Sequence, residues 1–218
     1  MVIHHDGTWL SFVKAGQSKW QVASTSAGRM GGDRYLDCAY HDGSFYTVTF
    51  YGLVEKWDLD DLSGPTREEM VFAIPAAPTV LTRNMVSTPW GDLLQVIGFR
   101  ALEYPHATKF QVCKVDQGGC KKVPKDLLAD HALFLGLNHS ACVPTRNLPG
   151  VRPNNIYFSA PWMQHAFLSL LETPNNWGGV RKYDMERRRI ERAFPFSEIK
   201  ELNHFKYSPS EVWIAQNL

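Results

Sequence analysis

The sequence predicts an all-β fold: a partial or small β-propeller of about four recognisable antiparallel blades, in one propeller-type domain over residues 1–218. Three observations predict it. The stretch Leu36 to Leu59 reads at period two as three short strands, Leu36 to Tyr40, Phe45 to Phe50 and Leu53 to Leu59, broken at His41-Asp42-Gly43-Ser44 and Tyr51-Gly52. Fragments of that unit recur: His5-Asp6-Gly7-Thr8-Trp9 repeats His41-Asp42-Gly43-Ser44-Phe45, and Lys56-Trp57-Asp58 returns as Lys114-Val115-Asp116 and Lys182-Tyr183-Asp184. A strand–turn–strand unit about every 35 to 65 residues is the pattern of a radial array, because one meander buries its faces only against neighbours of its own type. The third observation is composition: 44% hydrophobic residues, 21% charged and seven Trp describe a globular chain with enough aromatic mass to fill sheet cores.

In chain order, Val2 to His4, Thr8 to Lys14 and Trp20 to Ser24 read as the first strands, joined through Asp6-Gly7 and Ala15-Gly16-Gln17-Ser18. Ser24 to Asp33 is a glycine-bearing connection that lacks the order of a phosphate-binding loop. In the organising meander, Asp42-Gly43 is a strong hairpin signal, and the Tyr, Phe, Val, Thr and Trp between the bends suit a pleated surface. Asp60 to Pro78 reads as an inter-blade crossover, since Ser63-Gly64-Pro65-Thr66 breaks the alternation and Pro75 and Pro78 forbid a long helix. Thr79 to Ser87, Leu93 to Phe99 and Phe110 to Val115 form the next meander, with Trp90-Gly91-Asp92 as a turn. Lys121 to Val123, Ala132 to Leu135, Asn155 to Phe158, Val180 to Met185, Ile190 to Phe194 and Val212 to Ala215 supply later strands, and Gln164 to Glu172 reads as strand or helical turns. Trp57, Phe45, Phe134 and Tyr157 lie mid-pattern and are expected in the core.

Several residues resemble a known family. Ala132-Leu133-Phe134-Leu135-Gly136, Asn138, Ser140, Leu148-Pro149-Gly150 and Asn155-Ile156-Tyr157-Phe158 together resemble the most distinctive segment of the plant KIB-type, F-box-associated β-propeller domain. The organising meander, ending in Trp57-Asp58-Leu59, is similar to another segment of that family, and Val2-Ile3-His4, Trp20 and Val212-Trp213 fit its order. The resemblance implies a substrate-recognition subunit of a cullin-type ubiquitin ligase, binding a protein substrate of unknown identity. The ligase adaptor is implied as a partner only for a longer form that carries an F-box, because Met1 to Trp20 reads as strand and turn. The chain is accordingly expected to correspond to the C-terminal part of such a propeller, without its N-terminal blades.

The net charge of +1 gives no general field toward nucleic acid, an anionic membrane or an acidic substrate, and neither nucleic acid nor membrane is expected as a partner. No apolar run reaches bilayer length and Met1 opens onto a strand-like segment, so the expected place is the cytoplasm or nucleus rather than outside the cell. Cys38, Cys113, Cys120 and Cys142 are unevenly spaced and read as reduced thiols. A zinc set of Cys120, His131, His139 and Cys142 lacks CxxC or HxxxH support, and His4 and His5, as adjacent strand residues, point apart; no metal and no cofactor are expected.

An enzyme is the alternative reading: a propeller hydrolase or lyase gathering Glu55, Asp92, His106 and His131 at a channel, or a Cys142/His139 pair. Paired carboxylates in matching blades, a Gly-x-Ser-x-Gly elbow and HExxH are missing from the sequence, so no catalytic residue is assigned. A further alternative is a truncated, non-functional fragment. The candidate protein-binding residues are Trp162 and Trp177, beside Pro and Gly breaks, and the basic run Arg187, Arg188 and Arg189. Glu186 and Glu191 interrupt that run, which also fits a solvated hairpin turn. Because Val2-Ile3-His4 runs straight into Asp6-Gly7, the blade of Trp9 and Trp20 is expected to expose a face or an edge.

Overall fold

The computed structural model describes residues 1–25, 32–61, 64–71, 80–100, 108–124, 126–136, 139–159 and 180–193, and every helix-or-strand element among them is a strand. The first sheet is the meander β1 (Val2–His4), β2 (Trp9–Phe12), β3 (Gln21–Thr25). A second holds β4 (Tyr35–His41), β5 (Ser44–Thr49), β6 (Val54–Asp58) and β7 (Thr66–Val71). The third holds β8 (Val80–Ser87), β9 (Leu93–Arg100), β10 (Thr108–Asp116) and β11 (Gly119–Lys122), likewise in chain order across the sheet. The fourth contains β12 (His131–Leu135), β13 (Ala141–Pro144), β14 (Asn155–Ser159), β15 (Val180–Asp184) and β16 (Arg189–Arg192), in the spatial order β13-β12-β14-β15-β16. Four sheets, antiparallel but for one pair of strands in the fourth, make the protein an all-β partial propeller, and no barrel closes among the described residues.

The chain divides into two compact units, Met1–Phe99 with Gln111–Val123, and Arg100–Phe110 with Pro124–Leu218. In the first unit, alternation sets the core. Along β4, Tyr35, Asp37 and Ala39 turn inward while Tyr40 stands in solvent. Ala39, Tyr46, Val48 and Val54 of the second sheet pack with Met85 and Leu93 of the third and with Val115. Leu10, Tyr35 and Trp57 form a second cluster. Each fully buried side chain of this size contributes about 1.5–3 kcal/mol by leaving water. In the second unit Ala132, Tyr157 and Ala193 form the core, with Phe134 stacked on Tyr157 at a ring distance of 4.9 Å. Trp57 and Tyr157 are buried as expected, whereas Phe45 and Phe134 are only half-buried.

Several expectations change. The crossover read from Asp60 to Pro78 contains a strand: β7 pairs with β6, setting Trp57 opposite Arg67, Lys56 opposite Glu68 and Glu55 opposite Glu69. Its polar composition hid it, and the polarity has a purpose. Arg67 reaches back over the Trp57 ring at 5.8 Å and pairs with the buried Glu55 carboxylate at 3.2 Å. Thr47 Oγ1 also donates to Glu55, and Trp57 Nε1 donates to Thr47 Oγ1 at 2.9 Å, so the chain of donors ends on one anion. The fourth sheet is not a plain meander either: β12 and β14 run parallel, with β13 returning outside them. Cys113 and Cys120 are joined in a disulfide rather than reduced, while Cys38 and Cys142 are free thiols. Val212 to Ala215, Gln164 to Glu172 and His106 lie outside the described residues.

Buried polar groups tie the second sheet to the third. The Asp37 carboxylate accepts the backbone N–H of Cys38 and that of Met85, both at 2.8 Å. Arg83 Nε donates to the Phe50 carbonyl at 3.0 Å, and its guanidinium fills the space over Gly52. A Cβ at that glycine would sit 2.9 Å from Arg83 Cζ, and its φ of +92° already favours glycine.

Candidate functional site

Three strands dictate the first surface. In the β1-β2-β3 meander, Leu10 and Phe12 are buried on one face, and of the alternate positions Trp9 stands exposed while Ser11 is buried. The register carries that face across the sheet: Val2 pairs with Ser11, Ser11 with Val22, and His4 with Trp9. Val2 is 40% exposed, Trp9 38%, Val22 48%, and Trp20, one residue before β3, 58%. Ser11 lies beneath them, its hydroxyl 2.8 Å from His4 Nε2. This is the exposed face expected of the sheet holding Trp9 and Trp20.

The turn between β1 and β2 brings the two histidines together, contrary to the expectation that they point apart. His5 and Asp6 adopt φ of 51° and 54°, so His5 has left the strand geometry that would oppose it to His4. The two Nδ1 atoms stand 2.8 Å apart, and the His5 ring lies 5.4 Å from the Trp9 ring. The turn is anchored from behind. The Gly7 carbonyl accepts the Tyr35 N–H at 2.7 Å, and a Cβ on Gly7 would meet the Tyr35 carbonyl oxygen at 2.4 Å, so only glycine permits this approach.

A second surface belongs to the other unit. Asp126, Arg152, Asn154, Asp184, Glu186 and Arg187 line an open depression of about 510 Å³ at the turns leading into β14 and out of β15. Asn154 holds a φ of 57° while its backbone N–H is shared between the Leu128 and His131 carbonyls. Asp184 Oδ1 accepts the backbone N–H of Glu186 at 3.0 Å and of Arg187 at 2.9 Å, shaping the turn that carries the arginines.

The basic run is a hairpin turn in which Arg187 and Arg189 are paired with acids. Arg187, Arg188 and Arg189 are all exposed. Arg187 lies 3.9 Å from Asp184, and Arg189 pairs with Glu191 at 2.6 Å. Lys182, on the same hairpin, also reaches Glu191, at 3.4 Å. Trp162 and Trp177 lie outside the described residues. Sequence reasoning missed Arg152 and Asn154, because loop residues carry no periodic signal that would bring them beside a turn thirty residues away.

Of the described residues weighed for catalysis, Glu55, Asp92 and His131 each stand against a neighbour of their own. Glu55 is buried against Arg67, and Asp92 pairs with Lys114 and accepts the Trp90 indole N–H at 2.9 Å. The Lys114 contact holds the Asp92 carboxyl below its ordinary range. His131 Nδ1 sits 2.6 Å from Asp130, and Cys120 is taken by its disulfide. Among the described residues no three His, Cys, Asp or Glu side chains gather in a metal-holding group.

Residues 1–186 match the model of the KIB1-4 β-propeller family. The chain belongs to that family. The match spans all four described sheets as far as the turn after β15, which is why meanders of unequal length and register still read as blades of one architecture. No curated protein and no solved structure matches the chain.

Proposed function

We propose that this KIB1-4 β-propeller is a protein-binding module that recognises a protein substrate, as the recognition part of an F-box ubiquitin-ligase subunit when a longer form supplies the F-box. The observation that carries the reading is the outward face of the first sheet, where Val2, Trp9 and Val22 stand exposed with Trp20 beside them. Exposed Trp anchors are enriched where proteins bind one another, because a rigid aromatic buries a large area at small entropic cost. Arg187, Arg188 and Arg189 are further contact residues in this reading, and so are Trp162 and Trp177, which lie outside the described residues. The role is one of binding rather than catalysis, with no cofactor, nucleic acid or membrane as partner, in the cytoplasm or nucleus.

The test is affinity capture with the longer, F-box-bearing form, comparing the natural sequence with a Trp9→Ala/Trp20→Ala double variant. A discrete set of captured proteins is expected to fall by roughly tenfold or more in the double variant, since losing two anchors costs at least about 1.4 kcal/mol. Capture of the ligase adaptor through the F-box stays constant and serves as the control. The same captured set at the same level in both forms would refute the reading.

A further inference from the structure

We propose that Cys113 and Cys120 form a reversible dithiol–disulfide couple that exchanges with a small-molecule disulfide of the glutathione class. The two residues lie diagonally across the β10–β11 ladder, where Cys113 pairs with Lys122 and Val115 with Cys120. Their Cα atoms are 5.5 Å apart. That lies inside the span of about 4.4–6.8 Å that a disulfide bridges without moving the backbone. The same place also suits the reduced pair. Gln95, buried on neighbouring β9, sets its Oε1 3.9 Å from Cys113 Sγ and 3.5 Å from Cys120 Sγ, so each S–H has an acceptor waiting. Arg83 Nη1, 3.4 Å from the same oxygen, holds the amide in that orientation. At this Cα spacing neither making nor breaking the bond requires a backbone shift.

Access fixes the order of bond changes. Cys113 is fully buried, whereas Cys120 is partly exposed on the outermost strand of its sheet. In oxidation, the Cys120 thiolate attacks one sulfur of the small disulfide, giving a mixed disulfide on Cys120 and releasing one small thiolate. The Cys113 thiolate then attacks the Cys120 sulfur and expels the second. Two protein thiols lose two electrons and two protons, which the small disulfide takes up as two thiols; reduction runs the same steps backwards. The other cysteines do not compete. Burial, and then the Asp37 charge, pushes the Cys38 thiol up to about 11, and burial, then Asp130, pushes Cys142 up to about 12. Both stay neutral at cellular pH and are poor nucleophiles.

The experiment is a redox titration of the whole chain over mixtures of reduced and oxidised glutathione, read by mass after alkylation. The expected result is one two-electron transition with the same midpoint from either direction, with the chain folded throughout by circular dichroism. Treating Cys113→Ser with oxidised glutathione should place a single adduct on Cys120. Gln95 acts as a positioning residue: Gln95→Met removes the acceptor for the thiols and should shift the midpoint roughly threefold to tenfold toward the disulfide. If that variant does not fold, the titration of the natural chain still decides. A pair that stays reduced in excess oxidised glutathione, or that is reduced only on unfolding, overturns the proposal. A Gln95→Met midpoint unmoved from that of the natural chain overturns the role given to Gln95.

Discussion

Asp37 gives the sharpest handle on what joins the second sheet to the third. The residue is 6% exposed, and burial pushes its carboxyl pKa up from 3.8 to about 7 even though the N–H groups of Met85 and Cys38 and the Asn84 side chain all favour the anion. Desolvation therefore wins over three favourable hydrogen bonds. The folded protein holds this proton more tightly than the unfolded chain does. Its contribution is fully present below about pH 4, shrinks as pH rises, and is lost on passing through about pH 7. The whole swing is about 4 kcal/mol, of which roughly 2–3 kcal/mol falls between pH 5 and pH 8. Urea unfolding of the natural chain and of Asp37→Asn across that interval would measure it. The asparagine keeps an oxygen for Cys38 N–H but turns an amide donor toward Met85 N–H, so it should be less stable at pH 5 by about 1–3 kcal/mol. Because it does not titrate, its curve should converge on that of the natural chain by pH 8. Parallel curves, or a natural chain that gains stability relative to the variant as pH rises, would refute the account.

Other positions give simpler tests. Gly7→Ala should destabilise the chain by at least about 2 kcal/mol and abolish the β1–β2 turn's contact with Tyr35, since its Cβ has only 2.4 Å to the Tyr35 oxygen; thermal unfolding measures the first and amide exchange at Tyr35 the second. Phe134→Ala should cost about 1–3 kcal/mol rather than the 3–5 of a fully buried ring, because the stack on Tyr157 is lost but the residue is only partly buried; urea unfolding decides. Arg67→Met keeps the cover over Trp57 but takes the cation from the fully buried Glu55, and should cost about 2–4 kcal/mol at pH 7, read by urea unfolding beside the natural chain.

Much of the fold was legible because period-two alternation survives wherever one face is buried. The meander from Tyr35 to Asp58 shows it best: its bends at Asp42-Gly43 and Tyr51-Gly52 are where the chain turns. Illegible were the features decided by contacts between distant residues. Glu68 and Glu69 look like loop residues until Lys56 and Glu55 lie opposite them, and His5 looks like a strand residue until Gly7 docks on Tyr35 and forces the turn. The Cys113–Cys120 bond needs a two-residue turn at Gln117-Gly118 to bring β11 back beside β10, whereas the sequence pattern starts the returning strand only at Lys121. The arginines stand exposed on the β15–β16 turn, but the acids beside them, Asp184 and Glu191, weigh more in the structure than their spacing suggests.

The parallel ladder between β12 and β14 has a mechanical consequence. In an antiparallel hairpin such as β15–β16, tension on the two outer ends opens the hydrogen bonds one at a time, like a zip. In a parallel pair, the start of one strand and the end of the other lie at opposite ends of the ladder, so tension loads every bond between Leu133–Leu135 and Ile156–Phe158 together, in shear. A chain drawn out from beyond β16 would yield β16 and then β15 at low force, and next meet a clamp at β14. The fourth sheet is thus soft along one edge and stiff at its centre, and the force needed to unravel it is set by three residue pairs rather than by its size.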